Sequence, residues 1–154
     1  LMFQNDFKEW LSLLTEKKVE YLLVGGYAVA LHGIPRTTGD MDIWINNSQE
    51  NIEKVIQGLE LFGFSGLDLK VEDLIKPYAI VQLGYPPVRI DLITDVDGID
   101  FDTAYRNRTS LVVNGLEVSL ISLDDLIVNK QSSGRSIDKM DVKKLIKLRE
   151  SKKR

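Results

Sequence analysis

The chain has no cysteine among its 154 residues, which excludes disulfides and thiolate-held metals and suits a cytoplasmic protein. No apolar run approaches the ~18 residues that a membrane helix needs, and no stretch reads as a signal peptide. Membrane insertion is therefore not expected. Internal repeats, low-complexity segments and long linkers are missing as well. Residues 1–154 accordingly read as one domain, long enough to bury about 70% of the surface its unfolded chain exposes. A dinucleotide fingerprint is also absent: the only paired glycines after a strand are Gly25-Gly26, and their spacing to Gly33 is not G-x-G-x-x-G.

What the chain does have is an uneven charge. The net charge is −3, yet residues 126–154 hold ten Lys/Arg against three Asp/Glu, while residues 1–125 hold ten against twenty. A solvated terminal helix, its lysines favoured by the dipole, explains the basic segment without any function. A helix that faces phosphates is the less favoured alternative, and with RNA as the partner Lys139, Lys143 and Lys147 would be its contacts.

Periodicity gives the elements. Asn5 or Asp6, with Glu9 completing a capping box, opens a helix whose Phe7, Trp10, Leu11 and Leu14 form a buried stripe. An apolar strand over 19–24 stops at Gly25-Gly26, and a helix over about 26–33 follows. After the loop Gly33-Ile-Pro-Arg-Thr-Thr38 comes a strand over 40–45. Asn47 and Glu50 cap a third helix that Gly63 ends. Strands over 78–85 and 88–94 flank Pro86-Pro87 and pair as a hairpin. Asn114-Gly115 marks a second hairpin. Ser122 caps a helix over about 123–132, Ser133-Gly134 break it, and a last helix runs from about 136 to 149. This order predicts an α+β fold, a mixed sheet flanked by helices, with a core over about 5–120 and a helical segment over about 122–150.

Two features of this pattern oppose a purely structural reading. Gly25 and Gly26 let a phosphate approach backbone N–H groups, although a tight strand-to-helix turn needs glycine just as much. Asp40 and Asp42 are two apart in a strand of core residues, so their carboxylates share a face, repel each other and are costly to desolvate. A missing positive charge is implied. Hard divalent cations such as Mg²⁺ choose such oxygen donors. Asp91, within Val88-Arg-Ile-Asp-Leu-Ile93, is a third inward candidate, and three carboxylates could hold two metals about 3.5–4 Å apart. Asp95, Asp97, Asp100 and Asp102 fall in a polar turn and read as solvated.

Together, Gly-Gly, a helical spacer, Arg36-x-Thr38, Asp40-x-Asp42 and the distant Asp91 resemble the nucleotidyltransferase fold of the DNA polymerase β superfamily. The likeness is to its small bacterial members: minimal, toxin–antitoxin, and lincosamide or aminoglycoside nucleotidyltransferases. The resemblance implies a Mg²⁺-dependent (or Mn²⁺-dependent) enzyme that transfers a nucleoside monophosphate from a nucleoside triphosphate such as ATP to a hydroxyl, with release of pyrophosphate. Gly25 and Gly26 would hold the triphosphate. Asp40, Asp42 and Asp91 would be the metal ligands, with Asp91 helping to deprotonate the acceptor. Many members have Gly-Ser where this chain has Gly25-Gly26; the antibiotic-modifying and toxin-like branches have Gly-Gly.

Around these, Arg36 either contacts phosphates or pairs with an aspartate. Thr38 either sets the turn or hydrogen-bonds phosphate, and His32 reads as a structural or capping residue. Lys130 and Arg135 bracket the helix break, where related enzymes often place a lysine and an arginine, and would there reach the nucleotide or an acidic acceptor. Asp138 and Asp141 read as partners of those cations. The acceptor stays open among tRNA, a partner protein and a small molecule. A separate acceptor domain is not expected, so a partner, a second copy in a homodimer, or the C-terminal helices would complete that site. The rival is a non-catalytic nucleotide- or metal-binding module, or a toxin–antitoxin interaction module on the same fold. Keeping all three carboxylates argues against it.

Overall fold

The computed structural model describes residues 4–63 and 68–153. The element order is α1 (Asn5–Glu16), β1 (Tyr21–Val24), α2 (Gly25–Leu31), β2 (Asp40–Ile45), α3 (Gln49–Phe62), α4 (Val71–Leu74), β3 (Ile80–Tyr85), β4 (Val88–Ile93), α5 (Phe101–Arg106), β5 (Thr109–Val113), β6 (Leu116–Leu120), α6 (Leu123–Ser133) and α7 (Ser136–Lys152). One mixed sheet of six strands has the order β3-β4-β2-β1-β6-β5. β1 runs antiparallel to β2 but parallel to β6, and β2 runs parallel to β4. The two expected hairpins, β3–β4 and β5–β6, form the outer pairs. The α+β architecture is the expected one.

Alternation builds the two faces of the sheet. Met41, Ile43 and Ile45 of β2 and Ile90 and Leu92 of β4 are all buried, as one face of a covered sheet requires. The apolar stripe of α1 (Phe7, Trp10, Leu11, Leu14) is wholly buried, and α1 touches α3, β4 and β6. Trp10 packs on Phe62 with ring centroids 5.5 Å apart, and Phe7 meets Tyr27 edge-on at 5.6 Å. The opposite face carries Asp40, Asp42 and Trp44 in line with Arg89, Asp91 and Ile93. Trp44 is buried there, edge-on to Phe101 at 5.2 Å, and its indole N–H donates to the Thr94 carbonyl at 3.1 Å.

Several local expectations shift. The α1 N-cap is Gln4, with no side-chain cap bond, so the Asp6–Glu9 capping box does not form. Ser48 rather than Asn47 caps α3, accepting from the Asn51 N–H, and Asn47 instead donates to the Ile75 carbonyl. Gly63 ends α3 in the left-handed conformation (φ 101°), as expected. β1 starts two residues late, β3 and β4 are shorter than read, and α7 continues to Lys152. The polar stretch after β4 is not a mere turn. Asp100 caps α5 by accepting from the Thr103 N–H and hydroxyl, and Asp102 lies in its first turn.

Candidate active site

Register places the carboxylates. Val24 of β1 pairs with Asp42, and Asp42 pairs with Asp91 across the parallel β2–β4 ladder. Two residues back along the same ladder, Asp40 pairs with Arg89. Three carboxylates and one guanidinium therefore share a single sheet face. Gly25, immediately after β1, has φ 66°, and a Cβ there would overlap the Asp42 carboxylate. Gly26 is constrained by space alone: a Cβ would come within 2.7 Å of Thr38 Oγ1 and 3.4 Å of Arg36 Nε. Both glycines are required by close approach, one to Asp42 and one to the Arg36–Thr38 loop.

Asp42 bears the electrostatic penalty. Burial first, then Asp91 and Asp40, push its carboxyl up to about 6, against the pull of Lys130 and Arg135. Arg89 meets the charge on the other two. Its Nε and one terminal nitrogen donate to the two Asp91 oxygens at 3.0 and 3.1 Å, and its other terminal nitrogen lies 3.7 Å from Asp40 Oδ2. Sequence reasoning missed Arg89, although the signal was present: Arg89 and Asp91 are two apart in a strand, as Asp40 and Asp42 are.

A cleft opens over this face in two lobes. One, of about 410 Å³, is lined by Gly25, Gly26, Thr38, Asp40 and Arg89 among others. The other, of about 420 Å³, has an apolar wall of Tyr78, Ile80, Ile93 and Val96. Gly25, Asp42, Asp91, Lys130 and Arg135 line both, so the lobes meet at the carboxylates. Asp95 and Asp97, read as solvated, also line the second lobe, and Asp95 accepts the Tyr78 N–H at 2.7 Å.

The remaining expected residues sort clearly. Lys130 is 3% exposed, with its ammonium 2.9 Å from Asp138 and 3.3 Å from Asp141. Arg36 pairs with Asp141, which decides between its two readings in the free protein. Arg135 Nε lies 2.7 Å from Asp138, on a side chain that is 72% exposed. Asp138 and Asp141 are thus buried partners of the cations. Burial acts to raise the Asp138 carboxyl, yet hydrogen bonds from Arg135, Ser133 and Lys130 outweigh it and hold the group down at about 2. Thr38 Oγ1 donates to the Asp40 carbonyl at 3.4 Å and sets the loop into β2. His32 is structural: Nε2–H donates to the Ile121 carbonyl at 2.7 Å, and burial lowers its pKa. Lys139, Lys143 and Lys147 are exposed on α7. Lys144 and Lys147 line a separate apolar groove with Ile34 and Pro35.

Residues 3–154 match the family of nucleotidyl transferases of unknown function, DUF2204. The chain belongs to that family. Membership makes it an enzyme of the nucleotidyl-transferring class, and the fold agrees. A lincosamide antibiotic adenylyltransferase, LnuA, solved with lincomycin bound, is 19% identical, with 96% of this chain and 98% of that one covered at a TM-score of 0.58. A candidate nucleotidyltransferase of Thermotoga maritima is 16% identical over 94% and 88% of the two chains, at 0.56. An antigenic nucleotidyltransferase-like protein of Paracoccidioides brasiliensis is 21% identical over 93% and 74%, at 0.53. At such identities the likeness is one of fold. No curated protein matches the sequence. No helix among the described residues of this nucleotidyltransferase is long and apolar enough to cross a membrane.

The donor set fits a hard divalent cation. Asp40, Asp42 and Asp91 are all-oxygen donors on one face, and the glycine turn leaves the Asp42 carboxylate room that any side chain at 25 would fill. As the side chains stand, no group of three acidic or histidine residues among the described ones is close enough together to enclose an ion. Asp91 is committed to Arg89 instead.

Proposed function

We propose that this nucleotidyltransferase moves a nucleoside monophosphate from a nucleoside triphosphate to a hydroxyl of a small molecule and releases pyrophosphate, with Mg²⁺ or Mn²⁺ as cofactor. The observation that carries the reading is the in-register pairing of Asp42 with Asp91 at the junction of two unlike lobes. Asp40, Asp42 and Asp91 would hold the metal. When bound, it would supply the positive charge that offsets the phosphate oxygens in an in-line displacement.

The protein's own groups divide the work. Gly25 and Gly26 admit the triphosphate to the polar lobe, where Arg36, Arg89, Lys130 and Arg135 are the cations in reach of its oxygens. Asp91 takes the proton of the acceptor hydroxyl, the freed oxygen bonds to the α-phosphorus, and the bond to the β-phosphate bridging oxygen breaks. The leaving pyrophosphate takes that electron pair. Ile80, Ile93 and Val96 give the second lobe an apolar wall, which suits an acceptor with an apolar body better than a phosphate-rich RNA. The basic α7 surface does not line this lobe apart from Arg135 and the acidic Asp138, so the RNA reading loses its main support.

The test combines binding and transfer. A nucleoside triphosphate with Mg²⁺ should raise the melting temperature more than either alone, reflecting a stabilisation of RT ln(1+[L]/Kd), about 2.7 kcal/mol at a hundredfold excess over Kd. Asp42→Asn should remove the synergy. Label from one of four α-labelled triphosphates should appear in a metabolite extract rather than in RNA or protein. Label in RNA alone would overturn the small-molecule acceptor, and no nucleotide shift at all would overturn the nucleotide reading.

A further inference from the structure

Arg89 differs from the other cations of the cleft in what it touches. Arg36, Lys130 and Arg135 are paired with Asp138 and Asp141, on α7. The partners of Arg89 are Asp91 and Asp40, two of the three carboxylates assigned to the metal. The contact with Asp91 is a two-pronged guanidinium–carboxylate pair, the strongest and most directional form such a contact takes. It engages both Asp91 oxygens, so Asp91 cannot keep that pair and turn an oxygen fully towards a shared ion. The Arg89 side chain is 29% exposed and lines the lobe that contains Gly25 and Gly26. Across the β3–β4 ladder it faces Gly84, which presents no side chain to confine it.

We infer that Arg89 is the counter-cation of the metal-free site, and that metal entry hands it over from Asp91 to the triphosphate. The inference rests on the nucleotidyl-transfer reading above. Three carboxylates on one sheet face repel one another, and a cation of fixed charge on the adjoining strand position offsets part of that repulsion until a divalent ion replaces it. Because its old partners are then occupied, the guanidinium is released where phosphate oxygens sit. One residue thus opposes metal binding while supporting nucleotide binding once metal is in place. That makes Arg89 a positioning residue for the carboxylates and a direct ligand of the phosphates.

The test uses the full chain and separates the two halves. Calorimetric titration with Mg²⁺ alone, and Mn²⁺ binding followed by electron paramagnetic resonance, compare wild type with Arg89→Gln and Arg89→Lys. Arg89→Gln should melt lower without metal, bind Mg²⁺ at least fivefold more tightly, and bind triphosphate about tenfold more weakly at saturating metal. Arg89→Lys keeps the charge without the fork, so it should fold like wild type. It should bind metal more tightly than wild type but less so than Arg89→Gln. Equal or weaker metal binding by both variants would overturn the handover and make Arg89 a support for the metal site. Unchanged triphosphate affinity at saturating metal would overturn its phosphate half. A wild type that binds metal and triphosphate while the variants behave identically defeats this inference alone; a wild type that binds neither defeats the nucleotidyl-transfer reading with it.

Discussion

Asp42 is held ionised at neutral pH in surroundings that favour its protonated form. Its carboxyl titrates near 6 when folded, chiefly through burial and then through Asp91 and Asp40, against 3.8 in the unfolded chain. Between those values the folded state binds the extra proton, so stability contributed by this group rises as pH falls from about 6 to about 4. Above 6 the folded protein carries the whole penalty, on the order of 3 kcal/mol from the ~1.4 kcal/mol per pKa unit. Without metal, Asp42→Asn should therefore be more stable than wild type at pH 7.5, and the gap should close below pH 4. Urea melts of the two proteins across that range, in chelator, measure it directly. A less stable variant at pH 7.5 would make Asp42 a structural acceptor. Comparing the pair also cancels His32, whose lowered pKa makes the folded state lose stability as pH falls below about 6.5, the opposite sign.

Elements obey the sequence where the local rule has no competitor. Gly63 ends α3, Ser122 caps α6 and Asn114-Gly115 turns the β5–β6 hairpin, because each needs only its own neighbours. Gly58 shows the rule being broken instead. It lies buried inside α3, where glycine costs about 0.5–1 kcal/mol relative to alanine. An added Cβ would meet Trp10 Cζ3 at 3.6 Å, ordinary contact distance. Gly58→Ala should thus stabilise the protein by about 0.5–1 kcal/mol, read as a higher urea midpoint with unchanged slope; a fall in midpoint would show that Trp10 has no room to spare. The D-x-D strand and its glycine turn were legible because carboxylates among core residues violate patterning. α5 was not, since Asp95, Asp97, Asp100 and Asp102 look alike as solvated turn residues, and only the fold shows Asp100 capping a helix through its local bonds to Thr103. Arg89 was harder to weigh: arginine in such a strand breaks no rule, its spacing to Asp91 is visible in the sequence, but only the β2–β4 register brings Asp40 beside it.

At the scale of the whole molecule, the C-terminal helices are joined to the carboxylate-bearing face by buried charge. The excess of lysine after residue 126 reads as a solvated surface, and most of it is; yet Asp138 is fully buried. Lys130 of α6 binds Asp138 and Asp141 of α7, and Asp141 also takes Arg36 from the loop leading into β2. This network links α6, α7 and the glycine-turn lobe through two carboxylates. Removing one partner from such a set leaves a buried charge uncompensated, which costs about 3–5 kcal/mol. Asp138→Ala should lose about that much, because the buried Lys130 ammonium keeps only the 3.3 Å contact with Asp141. The acid limb carries the same signature. Asp138 titrates near 2 when folded, below its ordinary 3.8, so its contribution is complete above about pH 4 and lost as pH falls towards 2. Wild type should therefore lose stability steeply between pH 4 and 2. Asp138→Asn, weaker at pH 7 but with no proton to take up there, should lose less over the same window. Circular-dichroism melts at half-unit pH steps compare the two slopes. Equal slopes would mean that other carboxylates dominate acid unfolding, and that the Lys130–Asp138 pair contributes little to holding α7 against the sheet.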